Sequence, residues 1–177
     1  EMALRKDVLR PVIRRVPEIE APPAPTGDLD AWPDEAADVT TTGANIAAHL
    51  HFTSQWSGKD DLSARVRLGH DGERLHIGVA VRDNMVTQKD GVVLMLSPEN
   101  YKKWLNQNEP YEMRIPFPLP LSEKTATREG QSGFQCTTTR TEAGYTAEAS
   151  IRLKDLDLEA GSRIGWVVHV SDDDRTV

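Results

Sequence analysis

Carboxylates at the ends of predicted strands are the residues of this chain whose types and spacing most suggest chemistry. Asp172, Asp173 and Asp174 follow the last predicted strand, and Asp83 and Asp90 border a loop earlier in the chain. Clustered carboxylate oxygens bind hard cations such as calcium, so the three consecutive aspartates are a candidate structural Ca²⁺ site. Their spacing matches no EF-hand loop, and aspartate also ends strands through ordinary turn chemistry, so the sequence leaves both interpretations open.

Signatures of catalysis are absent from the sequence, which contains no GxSxG, P-loop, GxGxxG or HExxH motif. The single cysteine, Cys136, lies in a threonine-rich strand pattern with no base beside it and is expected in the core. His49 and His51 are two residues apart, so a strand would place both on one face, where they could hold a metal. No third ligand follows at a fixed spacing, and we expect satisfied or exposed histidines and no enzymatic activity.

Aromatic side chains are the candidates for binding sugar, because their rings stack on the apolar CH faces of sugar rings. Trp56 falls in a predicted loop, and Tyr101 and Trp104 fall in a predicted helix, where exposure is expected. Trp32 is expected to close a core instead. An alternative function comes from Met85, a loop methionine that could ligate b-type haem together with a histidine.

The elements that must position these residues are strands. Residues 63–69 and 73–83 alternate apolar and polar side chains, which is typical of antiparallel strands that cover a core. Asp71-Gly72 between them predicts a two-residue type I′ turn. Residues 91–97 are nearly continuously apolar, which predicts a strand buried on both faces in the middle of a sheet.

Further strands are predicted at 112–117, 133–140, 144–153 and 163–171. One short helix is predicted after Ser97, with Pro98 in its first turn and Tyr101 and Trp104 on one face. The sequence therefore predicts an all-β fold, a two-sheet antiparallel β-sandwich with one short helix.

Chain length, cysteine content and net charge reduce the number of possible function classes further. The chain has 177 residues, a single cysteine and a formal net charge of −7, which excludes an internal disulfide and disfavours nucleic acid as a partner. No apolar run approaches the roughly 18 residues needed to span a bilayer. There is no signal peptide, and the start at Glu1 suggests a piece of a longer protein. Residues 1–25 are expected to form an N-terminal tail or linker that docks onto the domain formed by residues 26–177.

The chain resembles the family-nine carbohydrate-binding modules and their DOMON-like relatives. The resemblance rests on five segments in the same order as in that family. These are GDLDAW (27–32), the hairpin at 60–84, DGVVLML (90–96), GYTAEASI (144–151) and GSRIGWVVHVSDDD (161–174).

The resemblance implies a non-catalytic sandwich, usually attached to a secreted or surface enzyme, in which structural calcium is common. In sugar-binding members, the loop between Asn84 and Asp90 forms one wall of the site. Here that loop has no aromatic residue, and Val93 stands where a carboxylate is often found. Arg114 matches an arginine that contacts sugar in binding members. The family usually adds a hairpin or strand after the acidic turn, so this last strand is expected either to be missing from the chain or to be supplied by another chain or segment.

We therefore expect a carbohydrate-binding accessory domain of a larger extracytoplasmic protein, located outside the cell, on its surface or in the periplasm. Its partners would be an oligo- or polysaccharide and either the rest of a multidomain protein or another subunit. The predicted sugar contacts are Arg114, Trp104, Tyr101 and Trp56, with an affinity of roughly micromolar to millimolar. The alternatives are a structural or protein-interaction sandwich that has lost the sugar site and a DOMON-type b-haem domain.

Overall fold

The structure is a computed structural model and describes residues 16–20, 23, 26–40, 60–87, 90–97, 113–116, 125–129, 133–162 and 165–171. Within these residues, nine strands and two short 3₁₀ turns are formed. The strands are β1 (Ala37–Thr40), β2 (Leu62–His70), β3 (Arg74–Asp83), β4 (Gly91–Ser97), β5 (Met113–Pro116), β6 (Thr125–Glu129), β7 (Gln135–Thr141), β8 (Gly144–Arg152) and β9 (Gly165–Ser171). The 3₁₀ turns span Leu29–Ala31 and Leu153–Leu156.

The strands form two antiparallel sheets. The larger sheet has the order β1-β2-β3-β8-β7-β6, and the smaller has the order β5-β4-β9. One apolar cluster joins the sheets, because Val79 and Ile151 of the larger sheet pack in it with Val92 and Leu94 of the smaller. The prediction of an all-β, two-sheet antiparallel β-sandwich is confirmed. The predicted helix after Ser97 lies outside the described residues.

The alternation read from the β3 sequence is confirmed by burial. Leu75, Ile77, Val79 and Val81 are all buried and face the core between the sheets. β4 is the central strand of the smaller sheet, as predicted. Its burial is more one-sided than predicted, because Val92 is buried whereas its neighbour Val93 is only half-buried.

The turn between β2 and β3 differs from the predicted type I′ turn, and that prediction is wrong. The Asp71 N–H donates to the Arg74 carbonyl at 3.2 Å, so Gly72 and Glu73 are the central residues. Gly72 has φ 89°, whereas Glu73 does not have a positive φ. A positive φ at the first central position alone is the type II′ pattern. The turn starts at Asp71 because its side chain accepts the N–H groups of Glu73 (2.9 Å) and Arg74 (2.7 Å) ahead of it.

The outer face of the larger sheet carries a second apolar cluster, formed by Ile19, Leu29, Trp32 and Ala36. Trp32 is 3% exposed, so the prediction that it closes a core is confirmed. Part of the predicted N-terminal tail docks here: His70 N–H donates to the Pro17 carbonyl (3.0 Å), and Ile19 N–H donates to the His70 carbonyl (2.8 Å). The division of the chain at residue 26 stays a prediction. In the described parts of the chain, no helix is long and apolar enough to cross a membrane.

Candidate functional site

A cleft of about 300 Å³ opens at one end of the sandwich. It lies where β3 ends and where the β7–β8 turn leads into β8. Most of its lining is polar, and the residues that line it are Asp83, Asn84, Met85, Val86, Arg140, Thr141, Glu142 and Gly144.

The strand alternation explains why polar groups gather at this end. Along β7, Cys136 and Thr138 are buried on the core-facing side, and Arg140 is the next residue on that side. Along β3, Asp83 follows buried Val81 in the same way. The core-facing rows thus change from apolar to charged residues where the sandwich meets solvent, and this change creates a polar cleft.

The first wall of the cleft is the start of the β3–β4 loop, which is held by hydrogen bonds. Asp83 is buried, and its Oδ1 accepts the N–H of Met85 at 2.7 Å. Asn84 is tied to the start of β2, because its N–H donates to the Asp61 carbonyl (3.2 Å) and its Nδ2 donates to Asp61 Oδ1 (3.1 Å). These bonds leave the Met85 side chain 41% exposed beside the cleft.

The far end of the same loop is fixed by the second bordering aspartate. Asp90 is buried and accepts hydrogen bonds from both the backbone N–H and the hydroxyl of Thr87, the latter at 3.1 Å. Asp83 and Asp90 therefore use the turn chemistry that was the alternative to metal binding. Residues 83–87 and Asp90 of the loop are therefore held in place by hydrogen bonds.

The second wall is the β7–β8 turn, in which Thr141 pairs with Gly144 around Glu142 and Ala143. The turn is bonded to the end of β3, because the Asp83 N–H donates to the Ala143 carbonyl at 2.9 Å. Gly144 has φ 143°, and a Cβ there would overlap the Val81 carbonyl oxygen. Glycine is therefore required for the close approach that forms the floor of the cleft.

Arg140 and Glu142 are the charged groups that this wall presents to solvent. Both side chains are exposed, and neither has a hydrogen bond or ion pair with any residue that the structure describes. A guanidinium offers a planar fork of donors, whereas a carboxylate only accepts. Two such groups on one hairpin can bind neighbouring hydroxyl groups of one small ligand. The arginine would donate to a hydroxyl oxygen, and the glutamate would accept from a hydroxyl hydrogen.

Metal ligands do not gather in the described residues, where no group of three His, Cys, Asp or Glu side chains could hold an ion. Asp28 and Asp30 serve local structure, because Asp28 Oδ1 accepts the Asp30 N–H (2.9 Å) and Asp30 pairs with Arg65 (2.6 Å). The predicted calcium ligands Asp172, Asp173 and Asp174 lie outside the described residues.

The predicted sugar contacts Trp56, Tyr101 and Trp104 also lie outside the described residues. Arg114 is in β5, directly opposite Met95 of β4. β5 is an edge strand of the smaller sheet.

Other predicted residues have clear positions. Cys136 is a buried free thiol, so its assignment to the core is confirmed. His76 is buried and satisfied by Asp71, with 2.8 Å between Nε2 and Oδ2. Met85, the haem candidate, lines the cleft, and the described lining residues include no histidine that could act with it.

The sequence prediction missed Arg140 and Glu142. A signal for Arg140 was present, since it is a charged residue at the next inward position after Cys136 and Thr138. Nothing comparable marks Glu142, which reads as an ordinary exposed turn residue.

Comparison with known proteins gives one result that bears on this site. A comparison with curated proteins finds no match. A comparison with protein families matches residues 34–177 to the family described as "Carbohydrate family 9 binding domain-like". The match spans all nine strands and both walls of the cleft. The chain therefore belongs to the carbohydrate family 9 binding domain-like family.

Proposed function

We propose that this chain is a non-catalytic carbohydrate-binding domain whose sugar site is the cleft between the β3–β4 loop and the β7–β8 turn. Family membership supports carbohydrate as the ligand class. The observation that carries the location is the exposed pair Arg140 and Glu142, which faces the loop residues Asn84–Val86 across a cleft of about 300 Å³. A volume of this order accommodates a small ligand, and the polar lining suits hydroxyl groups.

Hydrogen bonds dominate recognition in this proposal. The Arg140 guanidinium bridges two neighbouring hydroxyl oxygens with its fork of donors. Glu142 accepts from a hydroxyl hydrogen nearby. No aromatic residue is among the described residues that line the cleft, so stacking adds little, and the affinity is weak, roughly micromolar to millimolar.

Calorimetric titration with neutral mono- and oligosaccharides tests this function. Saturable binding is expected for the wild type and is expected to fall at least about tenfold in Arg140→Ala, because a charge-assisted hydrogen bond is lost. Arg65→Ala is the matched control, since Arg65 pairs with Asp30 on the outer face of the larger sheet. Equal binding by wild type and Arg140→Ala would place the sugar elsewhere.

The contacts suggested by the family resemblance form a second proposed region. Arg114 lies in β5, which pairs with the strand β4 that contains Val93, and Trp104, Tyr101 and Trp56 are proposed to supply aromatic surface. Alanine substitution of each of these four contact residues, followed by the same titration, tests whether the sugar binds in this region or in the cleft. Loss of binding in Arg114→Ala with retention in Arg140→Ala would favour the second region.

The wider setting is also a proposal. Residues 1–25 act as a tail or linker, and residues 26–177 act as an accessory domain of a larger extracytoplasmic protein. The resemblance and the family match support this arrangement. Antibody detection of the full-length protein in fractions of the source cells tests it, and a protein confined to the cytoplasmic fraction would contradict it.

Structural calcium is proposed at Asp172, Asp173 and Asp174. Three consecutive carboxylates follow β9, and carboxylate oxygens are the ligands that calcium prefers. Thermal unfolding with calcium and then with chelator tests the site. A Tm that falls on chelation in the wild type but not in a triple aspartate-to-asparagine variant supports it, and an unchanged wild-type Tm contradicts it.

A protein-interaction domain is the second candidate function. The lack of an aromatic residue among the described cleft residues and the presence of Val93 favour a sandwich that has lost its sugar site. A folded protein that responds to no sugar in the titration above would support this alternative.

A further inference from the structure

We propose that the cleft selects neutral sugars over uronic acids and that Glu142 is the residue that sets this selectivity. The inference rests on the proposed function, because it concerns which carbohydrates the cleft accepts. It follows from the balance of charge around the cleft.

Among the described residues that line the cleft, Asp83, Arg140 and Glu142 have titratable side chains. The described part of the lining therefore contains two acidic side chains and one basic side chain. Arg140 is exposed and has no partner among the described residues, so alone it would attract the carboxylate of a uronic acid.

Glu142 opposes that attraction because it is also exposed and lies in the β7–β8 turn, two residues beyond Arg140 at the end of β7. Asp83 lies on the neighbouring wall, which the hydrogen bond from its N–H to the Ala143 carbonyl holds against this turn. A sugar carboxylate bound to Arg140 would therefore lie beside negative charge. The hydroxymethyl group of the matching neutral sugar has no charge and can donate a hydrogen bond to Glu142 instead.

The expected size of the discrimination follows from Coulomb's law for neighbouring charges at a protein surface. Two like charges several ångströms apart near a protein surface weaken binding by about tenfold or more. The net charge of −7 has the same sign, but charges farther than a Debye length of about 10 Å are largely screened. Local charge on Glu142 is therefore the dominant cause.

Matched sugar pairs test the inference directly. Methyl β-D-glucoside is compared with methyl β-D-glucuronide, and D-galactose with D-galacturonate, by calorimetry at low ionic strength. Each pair differs only in whether C6 carries a hydroxymethyl group or a carboxylate. The proteins are the wild type, Glu142→Gln and the control Glu73→Gln, which removes the same charge from the β2–β3 turn. Glu73 is exposed at the opposite end of β3, whose ten residues span ~33 Å.

The wild type is expected to bind the neutral sugar of each pair at least about tenfold more tightly than the uronate. In Glu142→Gln, the ratio of the two dissociation constants is expected to fall to about threefold or less. Glu73→Gln is expected to keep the wild-type ratio. Equal or tighter uronate binding by the wild type would overturn the inference while leaving the sugar function intact. So would an undiminished ratio in Glu142→Gln, or a ratio lost equally in Glu73→Gln. Absence of binding to every sugar would contradict the proposed function, and the inference would fail with it.

Discussion

The indole N–H of Trp32 donates to Oε1 of Glu148 at 3.0 Å, and the two residues are 3% and 6% exposed. The other carboxylate oxygen of Glu148 accepts the Gly27 N–H at 2.6 Å. One buried carboxylate on β8 therefore holds two points of the segment that covers the outer face of the larger sheet.

Two neighbours of Glu148 complete this attachment. Arg67, Gly78 and Glu148 are paired in one row across β2, β3 and β8. Arg67 is buried and donates to the carbonyls of Leu29 (3.1 Å) and Pro33 (2.8 Å). Gly78, between the two charged residues, leaves the space that the Trp32 ring occupies.

Replacing Glu148 with alanine is expected to lower the free energy of unfolding by about 2–4 kcal/mol, because the buried indole N–H of Trp32 and the half-buried N–H of Gly27 lose their acceptor. Urea denaturation followed by tryptophan fluorescence measures this change. Glu73→Ala removes an exposed glutamate and is expected to change stability by less than about 0.5 kcal/mol. Similar values for the two variants would show that the Trp32–Glu148 bond does not hold the segment.

Gly78→Ala is expected to destabilise the protein by about 1–3 kcal/mol through overpacking. A Cβ at this position would lie 2.7 Å from Cζ2 of Trp32. Trp32→Phe removes that atom, so the double variant should be less destabilised than the sum of the single variants. Strict additivity in this double-mutant cycle would contradict the close contact.

Arg67→Lys is expected to cost about 1–3 kcal/mol, although it keeps the positive charge. A single ammonium cannot reproduce the two nitrogens of the guanidinium that reach separate carbonyls. Arg65→Lys, on the same strand but in a partly exposed ion pair with Asp30, is the control and should be nearly neutral. A cost as small as that of the control would mean that the carbonyl contacts of Arg67 add little.

The free energy of unfolding is expected to fall at acidic pH because of Asp71. Burial raises the pKa of Asp71, but hydrogen bonds from His76 and from the backbone N–H groups of Arg74 and Glu73 outweigh it, so its pKa is lowered. A lowered folded-state pKa means that this stabilisation is fully present above the unfolded value of about 3.9 and is lost as pH falls through the folded value.

Urea midpoints between pH 2 and pH 7 test this dependence in the wild type and Asp71→Asn. The variant is expected to lose less stability than the wild type below about pH 4, because the group that titrates has been removed. Asp34→Asn, at an exposed aspartate, should follow the wild-type curve. Parallel curves for wild type and Asp71→Asn would rule out this contribution.

Much of the fold could be predicted because the central strands carry strong patterns. The alternation of Leu75, Ile77 and Val79 specifies which face of β3 is buried. β1 and β6 were missed because they are short strands at the two edges of the larger sheet, and a short run of residues carries little periodic pattern.

The outer face of the larger sheet was harder to predict. Arg67 and Glu148 occupy the polar positions of alternating strands, and such positions ordinarily face water. They are buried because residues 26–36 pack over them, and Trp32 and Glu148 are 116 positions apart in sequence. Periodicity within one strand contains no information about a distant segment that will cover it.

The candidate site shows the same limit. The resemblance pointed to the loop after Asp83, and the first residues of this loop form a wall of the cleft. Arg140 and Glu142 of the opposite wall are brought there by the pairing of β3 with β8 and of β8 with β7. Their relevance depends on tertiary contacts rather than on a local motif.

The most direct test of the central claim is an NMR titration of the ¹⁵N-labelled protein with a neutral sugar that binds in calorimetry. We predict that the amide signals that shift most belong to Asn84–Val86 and Glu142–Gly144, on the two walls of the cleft. Shifts centred instead on β5 around Arg114, with the cleft amides unchanged, would contradict the claim that the cleft is the sugar site.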